Sequence, residues 1–241
     1  IFISTLLSHA VSASAGREGA ALQLGGSLGN VIGKAIHLDE KDRKIAIMCG
    51  MSAGFAALFG TPLAAGVFAM EVISIGVMYY AALVPCLFAS FLGAAISGKL
   101  GLVPEHYDIG AVPEFGLSGA VFAVVLGMLC ACVGIFLCMI LHQCGHLYRK
   151  YFPNPYLRVV AGAVIFIGLT LLFPSRLYNG SGAQIIERVF EGEAIPVYAF
   201  LLKILFTGVA LGAGFKGGEI VPTLCVGATL GCAFGEITGF A

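Results

Sequence analysis

Gly16-Arg17-Glu18-Gly19-Ala20, followed by Gly25-Gly26-Ser27-Leu28-Gly29, is matched about 200 residues later by Gly217-Gly218-Glu219-Ile220-Val221-Pro222, followed by Gly227-Ala228-Thr229-Leu230-Gly231. Superposed, Gly16 falls on Gly218, Ala20 on Pro222, and the block GGSLG on GATLG. The acids do not superpose: Glu18 falls on Ile220, and Glu219 on Arg17. A repeated glycine-rich helix start carrying a charge in apolar sequence is how membrane transporters assemble an ion site from interrupted helices.

The surrounding composition sets the class. Of 241 residues, 59% are hydrophobic and 11% charged, with a mean hydropathy of +0.99. A soluble domain carries roughly 25% charged residues, so the chain reads as an all-α, polytopic membrane protein. Its 34 glycines and lack of tryptophan suit closely packed transmembrane helices. Thirteen basic and thirteen acidic residues cancel, which argues against a nucleic-acid partner, since binding one requires a basic patch. The chain opens at Ile1 inside an apolar segment and closes at Ala241 after another. Residues 1–15 resemble the apolar region of a signal peptide but lack its basic start; an internal piece of a longer protein is expected.

A spanning helix needs about 20 apolar residues. Helices are predicted at 19–36, 45–59, 62–78, 79–98, 116–147, 157–173, 196–213 and 220–238, several too short to cross alone, with 116–147 long enough for a strong tilt. Phe59-Gly60-Thr61-Pro62 ends one helix and starts the next. Charged connections are expected at 34–44, 99–114, 148–158 and 174–195. Lys34, Lys41, Arg43 and Lys44 favour a cytoplasmic first connection. The repeat places residues 1–98 at the end of one half, 99–115 in a connection, and 116–241 at the start of the second half. Short, Gly/Pro-interrupted segments at corresponding positions point to inverted repeats.

Glu18 is the sharpest candidate for chemistry. A carboxylate at membrane depth must be paired, protonated or wetted. Gly16 and Gly19 leave backbone N–H groups uncovered, and the helix that follows offers its positive end. Such a nest holds either the carboxylate or an inorganic anion; the competing reading is a cap paired with Arg17. Glu219 repeats the argument, with Lys216 as a possible partner or a plain capping role. The eight cysteines form no CxxC pair and read as small apolar residues. Cys138, His142, Cys144 and His146 have metal-ligand spacing but read as a helix end reaching the interface, so no metal or cofactor is expected. Glu71, near Ser74, reads as structural, and Gly180–Ala183 as a turn.

Gly16-Arg17-Glu18-Gly19, with Gln23 and Gly25 following, resembles the GREGP signature of the CLC family of chloride channels and anion/proton antiporters. Gly218-Glu219-Ile220-Val221-Pro222 resembles its GxFxP signature. Residues 56–65, followed by Phe68-Ala69-Met70-Glu71, resemble its stretch joining two helices at the dimer interface. The resemblance runs through nearly the whole chain in order. It implies a homodimer in lipid with one anion pathway per subunit, in the plasma or inner membrane of a prokaryote. It also implies Glu18 as the gating, proton-carrying glutamate, and an anion held by groups of Gly16, Arg17, Gly19, Gly218, Ile220 and Val221.

The departures point to the substrate. Ala20 stands for the family's proline and Ile220 for its pore phenylalanine. Val72 stands where proton-coupled chloride exchangers carry a second glutamate. Glu219 is an extra acid. Gly-Gly-Glu-x-x-Pro resembles the family's fluoride-exporting clade, although Val221 is often threonine there. The expected function is therefore fluoride/proton antiport, with Glu18 and Glu219 handling protons. Competing readings are a chloride channel or exchanger, an intramembrane enzyme using the two acids, and a structural subunit. The enzyme lacks a nucleophile or metal constellation. The resemblance further implies an amino-terminal GSGIP-like loop and a later tyrosine, neither of which this sequence contains.

Overall fold

The computed structural model describes residues 1–73, 76, 78–104, 116–173 and 176–239, whose regular structure is helical apart from one isolated two-residue bridge. The helices are α1 (Phe2–Ala10), α2 (Glu18–Ala35), α3 (Glu40–Phe59), α4 (Pro62–Ile73), α5 (Leu83–Lys99), α6 (Leu117–Tyr151), α7 (Pro155–Leu172), α8 (Ala183–Phe190), α9 (Ala199–Ala213) and α10 (Ile220–Thr238), with a 3-10 turn at Tyr80–Ala82. Residues 80–99, α6, α7 and α10 are long and apolar enough to cross a membrane. The 35 residues of α6 extend about 52 Å, well beyond a hydrocarbon core of about 30 Å, whereas α1, α4, α8 and α9 are too short to span it.

The eight predicted helices are present, α10 with its predicted bounds and the others with one or both ends shifted. Helix α3 begins inside the expected 34–44 connection because Asp39 caps it, its carboxylate accepting the Asp42 N–H at 2.7 Å, with Glu40 and Asp42 in the first turn. Helix α7 begins at Pro155, capped by Asn154. Helix α4 is described from Pro62 to Ile73, Gly76 and Met78 are not helical, and residues 74, 75 and 77 of the expected 62–78 helix lie outside the described residues. Gly60 closes α3 in the left-handed conformation, and Pro62 opens α4 as the sequence predicts. Helix α8 lies within the expected 174–195 connection: its two turns bury Ile185 and Ile186 and expose Glu187 and Arg188, too short a pattern to register as a membrane segment. Residues 1–15 hold α1 and the loop that leaves it.

The chain divides into two compact units, residues 1–2 with 18–106 and residues 3–17 with 107–241. In the first, α2 lies against α3 at backbone contact. A Cβ on Gly25 would run into the Gly50 carbonyl, one on Gly50 into the Gly25 carbonyl, and one on Gly29 into Ala46. Small residues at such crossings let membrane helices pack by van der Waals contact where no hydrophobic drive operates. Met48, Met70, Ala82 and Cys86 form the buried cluster joining α3, α4 and α5. In the second unit α9 is central. Ile204 meets Leu137 of α6 and Val226 of α10, and Phe166 of α7 meets Phe206 edge-on.

Candidate functional site

Gly16 and Gly218, one glycine from each motif, meet in the second unit. Gly16 N–H donates to the Gly218 carbonyl and Gly218 N–H to the Gly16 carbonyl, both at 2.7 Å, as an antiparallel bridge. These are the residues that superpose in the sequence repeat. Each of the two equivalent glycines thus gives and accepts one backbone bond of the same length. The approach depends on Gly217, where a Cβ would collide with Ala15. Gly16, Gly218 and Ala15 are buried.

From the bridge, the chain leaves Gly16 into α2 and Gly218 into α10. Arg17 is exposed and Glu18, the first residue of α2, is fully buried. A carboxylate there sits at the positive end of the helix dipole. Gly19 is partly buried one residue further on. On the other arm Glu219 occupies the N-cap position of α10, is exposed, and makes no side-chain capping bond. The capping role considered for Glu219 is therefore not realised; its backbone carbonyl instead accepts from the Thr223 N–H and hydroxyl. Ile220 is half-buried, Val221 and Pro222 are buried, and Pro222 has no N–H to contribute. The two acids thus differ in environment although their motifs correspond.

The bridge also sorts the expected anion donors. The amides of Gly16 and Gly218 are used on each other, so of the expected anion donors these two shape the backbone rather than offer their own N–H groups. Away from the motifs, Glu71 is exposed on α4, and Ser74 lies outside the described residues. Pro104 is described, while Glu105, Asp108, Pro113 and Glu114 lie outside. Cys138, His142, Cys144 and His146 lie in the second half of α6, and among the described residues no group of three or more metal-ligating side chains comes together. Gly180–Ala183 turns the chain into α8, with Gly180 and Gly182 at positive φ.

One polar cluster escapes a reading of the sequence. Lys203 of α9, fully buried, donates to Ser14 Oγ at 3.0 Å, the Tyr178 carbonyl at 3.2 Å and the Gly180 carbonyl at 2.8 Å. Ser14 Oγ also bonds Thr207 Oγ1 at 3.0 Å. A single basic residue in an apolar helix gives no hint of three partners, two of them backbone carbonyls in a distant loop.

The whole chain, residues 1–241, matches the family model described as voltage gated chloride channel. A chloride/fluoride channel protein of Pseudomonas syringae pv. tomato is 36% identical over 98% of this chain and 54% of its own length. An H(+)/Cl(-) exchange transporter of Vibrio cholerae is 27% identical over 92% of this chain and 49% of its own. The chain thus spans about half the length of these curated relatives. Among solved structures, a CLC-type fluoride/proton antiporter superposes with a TM-score of 0.92 at 35% identity, covering 99% of this chain and 60% of that one. A slow cyanobacterial Cl-/H+ antiporter, 21% identical with a TM-score of 0.78, shares the fold.

Proposed function

This chain belongs to the voltage gated chloride channel, or CLC, family, and on that premise we propose that it carries the glycine motifs of a fluoride/proton antiporter in a prokaryotic inner membrane. The observation that carries the proposal is the reciprocal Gly16–Gly218 bridge, from which one arm leads within two residues to the buried Glu18 and the other directly to Glu219. Each motif ends in a helix start whose N–H groups, at Gly19 on one arm and at Ile220 and Val221 on the other, suit a small anion. Arg17 adds a positive charge beside the first.

Glu18 is the gate. Ionised, it competes with an anion for the N-terminal end of α2; protonated, it gives up that end and carries the proton. Glu219 sets selectivity. Fluoride is small and strongly hydrated, so removing its water requires strong donors, and a protonated carboxyl is one. Ionised, Glu219 repels the anion; neutral, it donates to it, which ties fluoride to a proton. The favourable relatives are the chloride/fluoride channel protein and the fluoride/proton antiporter, which match this chain at higher identity than the chloride exchangers given above. A homodimer, formed through the stretch around 56–71, and a division into repeat halves at 99–115 belong to the same proposal.

Glu219→Gln tests it. Replacing a charged-capable donor by an amide weakens a hydrogen bond worth about 1.5–3 kcal/mol to a charged group. Fluoride turnover in liposomes should fall at least tenfold, and the proton-to-fluoride ratio should change. Unaltered turnover and ratio would remove Glu219 from the mechanism.

A further inference from the structure

Lys203 is an expensive residue in its position. Apart from Thr207, the rest of α9 is apolar or glycine, and an ammonium in such surroundings is tolerated only when its donors are satisfied. All three donors are used, on Ser14 Oγ and the carbonyls of Tyr178 and Gly180. These acceptors are neutral. Among the described residues no carboxylate pairs with Lys203, so the cluster keeps a net positive charge inside the second unit. Satisfied hydrogen bonds explain why the charge is tolerated, not why it is there. An apolar side chain of similar volume commonly packs a core as well as a buried ion does. What only a basic side chain adds is the charge.

The position of that charge is informative. Ser14 stands two residues before Gly16, with the buried Ala15 between them and in contact range of Gly217. Two residues of chain span at most about 7 Å, and Ser14 Oγ is 3.0 Å from the ammonium, so the ammonium lies within about 13 Å of the Gly16 backbone. The loop beneath is fixed to the same segment, Gly180 N–H donating to the Ser12 carbonyl at 3.0 Å. Gly182, at φ +97°, passes so close that a Cβ would lie 2.9 Å from Lys203 Cε and from Cys225 Sγ of α10. Three segments of the second unit therefore converge on this side chain of α9: the approach to Gly16, the 178–182 turn and α10.

We propose that Lys203 determines anion affinity: its ammonium, clamped behind the Gly16–Gly218 bridge, is a resident positive charge that draws the anion to the glycine motifs without touching it. Through Ser14 it is also the positioning residue for the segment that delivers Gly16. The proposal rests on the anion-transport reading above. At an effective dielectric near 20, a unit charge about 10 Å from an anion alters its affinity roughly tenfold.

The test is the concentration dependence of fluoride and chloride flux through the full-length protein in liposomes, comparing wild type, Lys203→Met and Lys203→Arg. The methionine variant should raise the KM for anion about tenfold while keeping turnover at saturation within about threefold, and the arginine variant should restore KM to near the wild-type value. If the methionine variant does not purify as a single folded species, Lys203→Gln takes its place, since it deletes the charge while keeping N–H donors for the same carbonyls. An unchanged KM in the uncharged variant, or a loss of turnover at unchanged KM, would overturn the proposal and leave Lys203 a scaffold residue. A wild-type protein that moves no anion would instead remove the transport reading, and that trace is read before any variant is compared.

Discussion

At the scale of single residues, the acids and the glycines around them divide the labour. Glu18 was legible in the sequence because a carboxylate between glycines in an apolar run has few inexpensive fates, and the structure buries it at the first position of α2. Glu18→Gln keeps the shape and deletes the titration, so proton movement should disappear while anion flux persists or rises, read with a pH electrode beside an anion electrode. Gly217 was legible only as part of a motif. Its reason is steric, since a Cβ would meet Ala15. Gly217→Ala should force the bridge apart and abolish transport with a protein that still inserts, as checked by flux and by its elution as a single species. Lys203 was not legible, because its acceptors are backbone carbonyls at Tyr178 and Gly180, and carbonyls carry no sequence signal.

At the scale of elements, the pattern of apolar runs broken by glycine and proline placed α10 at its observed bounds and the α3–α4 junction at Gly60. It failed where a helix start is polar or a helix is short. The Asp39-capped start of α3 reads as a charged loop until its geometry is seen, and α8 buries only two isoleucines. Two stability effects follow. Asp39→Ala removes a capping bond and should cost about 1 kcal/mol, a small drop in thermal midpoint with unchanged transport. Gly50→Leu puts a side chain into the Gly25 carbonyl across the α2–α3 contact. It should cost about 3 kcal/mol, a much larger drop seen in the same thermal-unfolding assay.

At the scale of the whole molecule, composition and hydropathy pointed to a multi-pass membrane protein, and the signature residues at 16–19, 218–222 and 56–71 pointed to the family; the pair of backbone hydrogen bonds that joins Gly16 to Gly218 is specified by no side-chain pattern. Family, membrane class and the candidate acids were therefore readable, while the use of the Gly16 and Gly218 amides on each other was not, since it depends on which N–H groups the fold consumes. A fluoride gradient is the most direct probe of the central claim. The full-length protein is reconstituted in liposomes loaded with fluoride, with no proton gradient, and external fluoride and pH are followed together. Antiport predicts fluoride efflux accompanied by proton uptake against the resulting pH difference, with proton uptake absent in Glu18→Gln. Fluoride efflux with no proton movement in the wild type, or chloride flux without preference for fluoride, would contradict it.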